Sequence, residues 1–277
     1  MSRALPAGRF QPSDVRRAAG RRRIRSWAQF DRHVRDGGGK LLARLDSYPN
    51  AVLVAGCQRS GTTALARLIT ASNGMTAHQF GHDDELDAAL ILAGWVEHAH
   101  RGRYCFQTTY LNDSVGEYAE HADYRLIWVL RKPEAVIASM LYNWKRGALH
   151  RLFRHCGQNL LETPQRRRYQ RFGRFAVSPL RMACCSYAAK VSQVMSLHQW
   201  LPAERLLVVD YDELVLDKYH ALHRLYEFIG EPWQPGYADA LHADSLHKAE
   251  RIGPAQRALI EELCLPVYRQ ARRLLST

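Results

Sequence analysis

Hydrophobic and polar positions follow one another in blocks along this chain, and the blocks predict strands and helices. Residues 51–55 form a short apolar run, partly β-branched, which is typical of a buried strand. A polar turn follows, and from Thr62 onward apolar residues recur at helical spacing. Two more apolar runs lie at residues 126–130 and 206–210, and helical patterns lie at residues 182–201, 217–230 and 256–275. The pattern predicts an α/β fold, with a mainly parallel central sheet flanked by helices.

The polar turn after the first predicted strand has the composition of an anion-binding loop. Gly56 and Gly61 bracket it, and backbone N–H groups in such a loop converge at a helix N-terminus, where the dipole favours an anion. The glycine spacing, followed by Thr62 and Thr63, is similar to that of the Walker loop of nucleotide-binding proteins, but threonine replaces lysine at position 62. The loop cation is Arg59, whose planar fork matches a tetrahedral oxyanion. The loop therefore predicts a phosphate or sulfate site.

A second anion-binding segment is predicted where the run 126–130 ends. Arg131 stands at the carboxyl end of this predicted strand, and Pro133 with Glu134 opens a helix. Ser139 follows on a helix face that can turn back toward the strand end. Because ligands of open α/β sheets bind at the carboxyl ends of the strands, Arg131 is placed where it could bind a phosphate.

The two segments together resemble the sulfotransferases that use 3′-phosphoadenosine 5′-phosphosulfate (PAPS). The sequence QRSGTT is similar to their 5′-phosphosulfate loop, and Arg-x-Pro followed by five residues and Ser is similar to their 3′-phosphate motif. The resemblance implies a P-loop NTPase-like three-layer fold. It also implies in-line transfer of a sulfuryl group from PAPS to the hydroxyl of a carbohydrate or another metabolite. The by-product would be adenosine 3′,5′-bisphosphate, and the reaction as known for this family needs no metal.

The resemblance also implies roles for individual residues. The residues implied to hold the phosphosulfate are Arg59, Ser60, Gly61, Thr62 and Thr63. Arg59 would also stabilise charge that grows on the bridging oxygen as the sulfuryl group leaves. Arg131 and Ser139 would bind the 3′-phosphate, and Tyr211 would stack on the adenine. Ser245 matches a position near the adenine, and Lys248, Arg251 and Gly253 stand where the family has a basic loop, although its Arg-Lys-Gly run is absent.

The catalytic base is expected in the polar segment 76–87. The acceptor hydroxyl must lose its proton as it attacks, so a base is needed within hydrogen-bond reach. Carbohydrate- and tyrosine-directed members of the family use a glutamate after the anion-loop helix, and Glu85 is the only glutamate in this segment. His78 and His82 are the alternatives, and the acidic residues could instead serve only a helix N-terminus. The segment 107–109 reads Gln-Thr-Thr where other members carry a histidine base, which favours the glutamate.

The amino-acid composition limits the classes of binding partner and the cellular location that we expect. The chain of 277 residues is 47% hydrophobic and 24% charged, enough to bury a substantial core. Its formal net charge of +12 indicates attraction to a nucleotide, an acidic glycan, nucleic acid or an anionic membrane surface. Six cysteines without a C-x-x-C pair are expected to be buried thiols. No apolar run approaches the ~20 residues that span a membrane, and no secretory signal is visible, so a cytoplasmic protein is expected.

Two stretches of the chain are unusually basic. We predict a basic N-terminal arm at residues 1–39, either solvated or in contact with an anionic partner, and a sulfotransferase-like α/β domain at residues 40–277. Residues 144–174 are rich in arginine and histidine and could either cover the acceptor cleft or form a solvated helix pair. No pattern in the sequence defines the oligomeric state.

Two other functions fit parts of the sequence. A P-loop kinase or nucleoside triphosphatase would use Asp210, at the end of the run 206–210, to hold magnesium. The missing loop lysine and the pair of Arg131 and Ser139 argue against it. A basic nucleic-acid-binding protein is suggested only by the net charge and the arginine-rich arm.

Overall fold

Five parallel strands form the central sheet of the protein. The computed structural model describes residues 15–17, 23–81, 83–98, 102–241 and 249–276. The sheet strands, in chain order, are β2 (Ala51–Gly56), β3 (Met75–Thr76), β5 (Arg103–Gln107), β6 (Tyr124–Leu130) and β7 (Leu206–Asp210). Across the sheet their order is β3-β5-β2-β6-β7, and every neighbouring pair is parallel. The predicted α/β class with a mainly parallel sheet is confirmed.

The strands are connected by helices that lie on both faces of the sheet. The helices are α1 (Trp27–Phe30), α2 (Thr62–Thr70), α3 (Asp84–Leu92), α4 (Pro133–Tyr142), α5 (Arg146–His155), α6 (Thr163–Phe172), α7 (Pro179–Trp200), α8 (Tyr211–Leu216), α9 (Lys218–Ile229), α10 (Pro254–Leu263) and α11 (Leu265–Arg272). A separate two-stranded antiparallel sheet pairs β1 (Val15–Arg17) with β4 (Val96–His98). No helix in the described ranges is long and apolar enough to cross a membrane.

Both faces of the central sheet are buried, as is usual for parallel strands covered by helices. Alternate residues of β2 illustrate this: Leu53 packs into one apolar cluster and Val54 into the other. The first cluster includes side chains of α3, α4 and α7, and the second includes side chains of α2, α8 and α9. This three-layer arrangement fixes the carboxyl ends of β2, β5, β6 and β7 side by side, which is where ligands bind in such sheets.

Part of the segment assigned to a basic arm packs into the core of the domain. Ile24, Phe30 and Val34 are all buried, and they belong to the same apolar cluster as the central strands. The described residues from 24 to 34 are therefore a structural part of the domain, because their apolar positions outweigh the charges between them. For residues 1–14 and 18–22 the arm lies outside the described part of the chain.

The C-terminal segment differs from the single helix predicted for residues 256–275. It consists of α10 and α11, which meet at Cys264. Pro266 lies in the first turn of α11. Because proline has no backbone N–H, it cannot continue the hydrogen-bond pattern of α10, and the helix breaks.

Candidate active site

The loop between β2 and α2 has the backbone geometry of an anion cradle. Gly61 has a φ of 103°, and Arg59 has a φ of 75°, which is uncommon for a residue with a side chain. A Cβ at Gly61 would lie 2.2 Å from the ring of Tyr211, so this position excludes any larger residue. Strained backbone of this kind is found preferentially at functional sites.

Helix α2 begins directly after this loop, with its N-terminus uncapped by a side chain. Its N-cap is Gly61, which carries no side-chain oxygen. The first N–H groups of a helix have no partner within the helix, and together with the dipole they attract anions. The N-terminus of α2 is therefore suited to a phosphate or a sulfate.

Two arginines from separate segments meet beside this N-terminus. Arg59 Nε donates to Ser139 Oγ at 3.0 Å, which connects the first predicted motif with the second. Arg131 is buried, and its Nε donates to Asp212 Oδ1 at 3.2 Å. Partial desolvation and the like charge of Arg131 both lower the pKa of Arg59. An anion between the two guanidinium groups would relieve that repulsion.

Two residues predicted to bind the donor, Tyr211 and Ser60, have other contacts in this structure. The buried ring of Tyr211 lies against Gly61 and under the guanidinium of Arg131, 4.9 Å from the ring centroid. An adenine could stack on this ring only if Arg131 moved away. Ser60 Oγ donates to the carbonyl of Cys57 at 2.7 Å, and Ser60 N–H donates to the same carbonyl at 3.1 Å. Tyr211 and Ser60 therefore stabilise the conformation of the loop through contacts with Gly61 and Cys57.

Glu85 lies in the first turn of α3, facing the same edge of the sheet. Thr109 Oγ1 donates to one carboxylate oxygen, and Gln107 Nε2 donates to the other at 3.4 Å. Burial raises the pKa of Glu85 to about 7, against the hydrogen bond from Thr109, which lowers it. A carboxylate with a pKa near neutrality is suited to accept a proton in catalysis.

Gln107 connects this carboxylate with the anion loop. Its Nε2 also donates to Thr62 Oγ1, at 3.2 Å. Glu85 is therefore separated from the first residue of α2 by a single amide group. Thr63, the next residue, lines the same cavity as Glu85. The segment that departs from the histidine-base pattern thus holds the candidate base in place.

A buried lysine holds the segment that carries Thr109 through hydrogen bonds to its backbone. Lys190 of α7 donates to the carbonyl of Thr109 at 3.1 Å and to that of Leu111 at 3.4 Å. Gln58 Nε2 donates to the same Thr109 carbonyl at 2.9 Å. Burial lowers the pKa of Lys190 to about 8. Lys190 was not predicted from the sequence, although a lysine among apolar residues of a predicted helix indicates a buried cation.

The two histidine alternatives to Glu85 are placed differently. His78 is buried, and its ring packs against Phe106 with centroids 4.8 Å apart. Its Nε2 lies 3.5 Å from the carbonyl of Asp84. The ring is thus part of the packed interior beneath α3. His82 lies outside the described residues, as do Ser245 and Lys248.

The acidic residues around Glu85 also serve the helix N-terminus, which was the simpler interpretation of this segment. Asp83 is the N-cap of α3, and its Oδ1 accepts from the N–H of Leu86 at 2.6 Å. Its other oxygen accepts from Trp27 Nε1 at 3.1 Å. Asp84 forms an ion pair with Arg67. Only Glu85 of the three directs its carboxylate to Gln107 and Thr109, so the two roles are divided among neighbours.

A cavity of about 280 Å³ opens in front of Glu85. Its aromatic walls come from Trp27, Tyr110 and Trp144, and its polar lining includes Gln58 and Asn112. Flat apolar rings beside hydrogen-bonding groups suit a small molecule that carries both apolar faces and hydroxyls. Trp27 was not predicted, because its segment was assigned to the arm.

The far wall of the cavity is organised around a buried aspartate. Asp31 pairs with Arg35 and with Arg151, in both cases with an N–O distance of 3.3 Å, and His155 Nε2 also lies 3.3 Å away. Burial opposes the charge of Asp31, but the hydrogen bond and charge of His155 and the two arginines lower its pKa. Arg151 and His155 belong to α5, so part of the arginine-rich segment 144–174 does border the cavity.

Asp210 has contacts that leave it poorly placed to hold magnesium. Its Oδ1 caps α8 by accepting from the N–H of Asp212 at 2.9 Å, and its Oδ2 accepts from Tyr268 at 2.8 Å. Within the described ranges no group of three His, Cys, Asp or Glu side chains is arranged to hold a metal ion. All six cysteines are buried free thiols.

The residues matched to the family's basic loop lie at the C-terminal end of the chain. The guanidinium of Arg251 stands 4.2 Å from the ring centroid of Tyr142, and it donates to Asn143 Oδ1 at 3.2 Å. Gly253 is the N-cap of α10. Arg251 thus contacts the end of α4, the helix that carries Ser139.

A parallel sheet with a helix that follows a glycine-bracketed loop and has no side-chain N-cap is the arrangement of P-loop-like folds. The sequence profile of the sulfotransferase domain matches residues 49–261, and the chain belongs to the sulfotransferase family. This finding confirms the family that the two anion-binding motifs resemble.

Three similar solved structures are sulfotransferases, and the first of them supports the same fold. The sulfotransferase domain from the curacin biosynthetic pathway superposes with a TM-score of 0.50 at 16% identity, covering 82% of this chain and 98% of that domain. The sulfotransferase domain from the Synechococcus PCC 7002 olefin synthase has a TM-score of 0.49 at 15% identity, covering 82% and 94%. Mouse sulfotransferase SULT7A1, solved with PAP, has a TM-score of 0.49 at 18% identity, covering 84% and 92%. A search of curated protein sequences finds no match.

Proposed function

We propose that this sulfotransferase moves a sulfuryl group from PAPS to the hydroxyl of a small polar acceptor, with Glu85 as the base. The observation that carries the proposal is the position of Gln107. Its amide donates both to Thr62 at the anion loop and to the Glu85 carboxylate. A base with a raised pKa therefore stands one side chain away from the predicted sulfuryl site.

The residues around the loop fit a doubly anionic donor. The N-terminus of α2, with Gly61, Thr62 and Thr63, would hold the 5′-phosphosulfate, and Arg59 would neutralise charge beside it. Arg131 would meet the 3′-phosphate, and Ser139 is already hydrogen-bonded to Arg59. When bound, PAPS supplies the sulfuryl group. Ser245 would contact the adenine, and Ser60 and Tyr211 would support the loop through their contacts with Cys57 and Gly61.

The base and its supports act on the acceptor proton. Glu85 would accept the proton of the attacking hydroxyl, while Thr109 and Gln107 orient its two oxygens. Lys190 holds the Thr109 carbonyl and so fixes the position of this segment. His78 is the second choice for the base, because its ring is packed against Phe106.

The cavity supports a carbohydrate as the acceptor. The rings of Trp27 and Trp144 offer apolar surfaces, and Gln58 and Asn112 offer amide groups that bind hydroxyls in either direction. Asp31 holds Arg151 beside this space. A sugar ring, with C–H groups on its faces and hydroxyls at its edge, matches that lining. The location in the cytoplasm and the absence of a metal requirement stay predictions.

One binding experiment tests the donor assignment against the two other functions. The full chain is titrated calorimetrically with adenosine 3′,5′-bisphosphate, with ATP and magnesium, and with a single-stranded oligonucleotide. We expect the bisphosphate to bind and magnesium to leave its affinity unchanged. Tighter binding of ATP with magnesium would indicate a kinase or triphosphatase, and binding of the oligonucleotide alone would indicate a nucleic-acid-binding protein.

A transfer assay then tests the reaction itself. The chain is incubated with PAPS labelled with radioactive sulfur and a panel of mono- and disaccharides, phenols and aliphatic alcohols. We expect label to move to a saccharide. Release of label only as free sulfate with every acceptor, despite bisphosphate binding, would contradict the acceptor class while leaving the donor site intact.

A further inference from the structure

The surface formed by α5 and α6 is strongly basic. Residues 145–175 contain nine lysines and arginines and a single acidic residue, Glu162. Eight of these cations are exposed, and we call them the basic patch: Lys145, Arg146, Arg154, Arg166, Arg167, Arg168, Arg171 and Arg174. The two helices are fixed to each other, since Tyr169 packs on Phe153 and hydrogen-bonds to His150 at 2.9 Å. The exposed cations are therefore carried by two helices that are packed on each other.

Large apolar side chains stand out among these charges. Phe175 is 85% exposed, Phe172 is 55% exposed and Leu160 is 51% exposed. Gly173, with a φ of 60°, turns the chain between the two phenylalanines. Exposed aromatic rings among cations are unfavourable in water unless something else covers them, so they indicate an interaction surface.

Each phenylalanine is paired with an adjacent arginine. The guanidinium of Arg171 lies 5.1 Å from the ring centroid of Phe172, and that of Arg174 lies 5.1 Å from the ring centroid of Phe175. One face of each ring is thus covered by a cation that also carries the positive charge of the surface. An apolar ring beside a guanidinium is the arrangement found at a lipid headgroup layer, where the ring enters and the charge stays with the phosphates.

Two other occupants fit this surface less well. A second copy of the chain, docking the same surface on itself, would bring two basic patches together, and like charges would oppose it. Nucleic acid would meet the positive charge, but stacking of bases needs open ring faces, and the arginines already cover one face of each ring. The apolar Leu160 also has no counterpart in a phosphate backbone.

We propose that the basic patch, together with Phe172 and Phe175, binds peripherally to an anionic lipid bilayer. Anionic headgroups neutralise the arginines, and the two rings enter the boundary between headgroups and acyl chains. Helix α5, which carries part of the basic patch, also contributes Arg151 and His155 to the lining of the acceptor cavity.

The test is co-sedimentation of the full chain with vesicles. Vesicles of phosphatidylcholine alone are compared with vesicles of equimolar phosphatidylcholine and phosphatidylglycerol. We expect binding only to the anionic vesicles, and weaker binding as salt is added. Equal binding to both compositions, or to neither, would overturn the proposal.

Two pairs of variants locate the contact. Arg167→Glu, Arg168→Glu and Arg171→Glu together should lower the partition coefficient by at least roughly 100-fold, since each arginine near the membrane contributes about 1 kcal/mol and the new carboxylates are repelled. The control is Arg257→Glu, Arg269→Glu and Arg273→Glu, which changes the net charge equally at exposed positions elsewhere. Equal losses in both triple variants would reduce the effect to net charge and refute the patch.

The aromatic contribution is tested separately. Phe172→Ser with Phe175→Ser should lower the partition coefficient by about tenfold, since two partly inserted rings are lost. Leu216→Ser with Tyr219→Ser is the control, because these side chains are 73% and 60% exposed on another surface. Thermal melting and bisphosphate binding verify that every variant is folded.

Two results would assign the surface to another partner. If an oligonucleotide binds more tightly than the anionic vesicles, and the phenylalanine variant does not weaken it, the surface is a nucleic-acid site. If light scattering shows a dimer that the phenylalanine variant converts to a monomer, the surface joins two copies of the chain. Either result overturns the membrane proposal, and neither depends on the sulfuryl-transfer assay.

Discussion

The donor half and the acceptor half of the candidate site are built in different ways. The donor half consists of strand ends and the helices that follow them: Arg59 and Gly61 after β2, and Arg131 after β6. The acceptor half is gathered from distant segments, as when Asp31 pairs with Arg151, 120 positions further along the chain. An anion can be held by local backbone and a few side chains, whereas a cavity needs walls from several elements. Short motifs therefore predict the first half and not the second.

Glu85 joins the two halves. It lines the cavity, yet Gln107 connects it with Thr62 of the donor half. Perturbing each half separately should therefore give separable defects, with the largest where the halves meet.

The strongest test of this arrangement is Glu85→Gln. We expect kcat to fall by about 10²- to 10⁴-fold, the usual contribution of a general base, while bisphosphate affinity is unchanged. Asp84→Asn is the control, because that neighbouring carboxylate pairs with Arg67 and should be nearly neutral in single-turnover transfer. The pH profile of kcat/KM should also rise with an apparent pKa near 7, and the variant should lack that rise. Full turnover by Glu85→Gln would move the base elsewhere.

Arg131→Ala tests the donor half alone. Loss of a charge-assisted contact should weaken PAPS binding by about 10- to 100-fold. Adenosine 5′-phosphosulfate, which lacks the 3′-phosphate, should bind wild type and variant alike. Arg125→Ala, on the strand that ends directly before Arg131, is the control and should leave the binding of both donors unaffected. Equal losses for the two donors would refute the assignment to the 3′-phosphate.

Gly61→Ala tests the backbone of the loop. The positive φ and the overlap with the Tyr211 ring should lower the free energy of unfolding by about 1–3 kcal/mol and weaken bisphosphate binding. Gly236→Ala is the matched control, because no atom lies within 4 Å of its added Cβ. Denaturant unfolding and calorimetry measure both effects, and a Gly61→Ala variant as stable as wild type would show that the loop is not tightly fixed.

The Glu85 carboxyl should also link stability to pH. Its pKa is raised from 4.5 to about 7 on folding, so between these values the folded chain binds more protons than the unfolded chain. Its contribution is therefore complete below pH 4.5 and lost as the pH rises through 7. Glu85→Gln should be more stable than wild type at pH 8, by about 1–2 kcal/mol after allowing for its partial exposure. If the difference in free energy of unfolding between Glu85→Gln and wild type is the same at pH 4 and at pH 8, the raised pKa is contradicted.

The smallest effect is expected in the acceptor half. Arg151→Ala should raise the acceptor KM by about fivefold, equivalent to about 1 kcal/mol for a partly exposed ion pair. PAPS binding should not change. Arg154→Ala, on the exposed side of the same helix, is the control and should leave the acceptor KM unaltered. A defect in PAPS binding instead would break the separation between the two halves.

The sequence predicted the sheet, the anion loop and the family, because these depend on local periodicity and on short motifs with a physical purpose. The sequence was less informative for Tyr211. It was predicted to stack on the adenine, and its ring packs against Gly61 and the guanidinium of Arg131. The sequence was also less informative for the part of the predicted arm from Ile24 to Val34, where charged residues separate apolar positions that the core buries. The helix predicted for residues 256–275 divides at Pro266, a residue that the helical periodicity alone does not exclude.

What the sequence by itself determined is three of the five central strands, the helices that directly follow the first two of them and the two motifs at their ends, since these follow from residue type and spacing. Only the tertiary structure decided that Arg59 meets Ser139, that Gln107 links Thr62 with Glu85, and that Asp31 gathers Arg151. These contacts join residues distant in sequence, and their geometry depends on how helices pack on the sheet. The pKa of Glu85 follows from the same packing, because burial, not residue type, raises it.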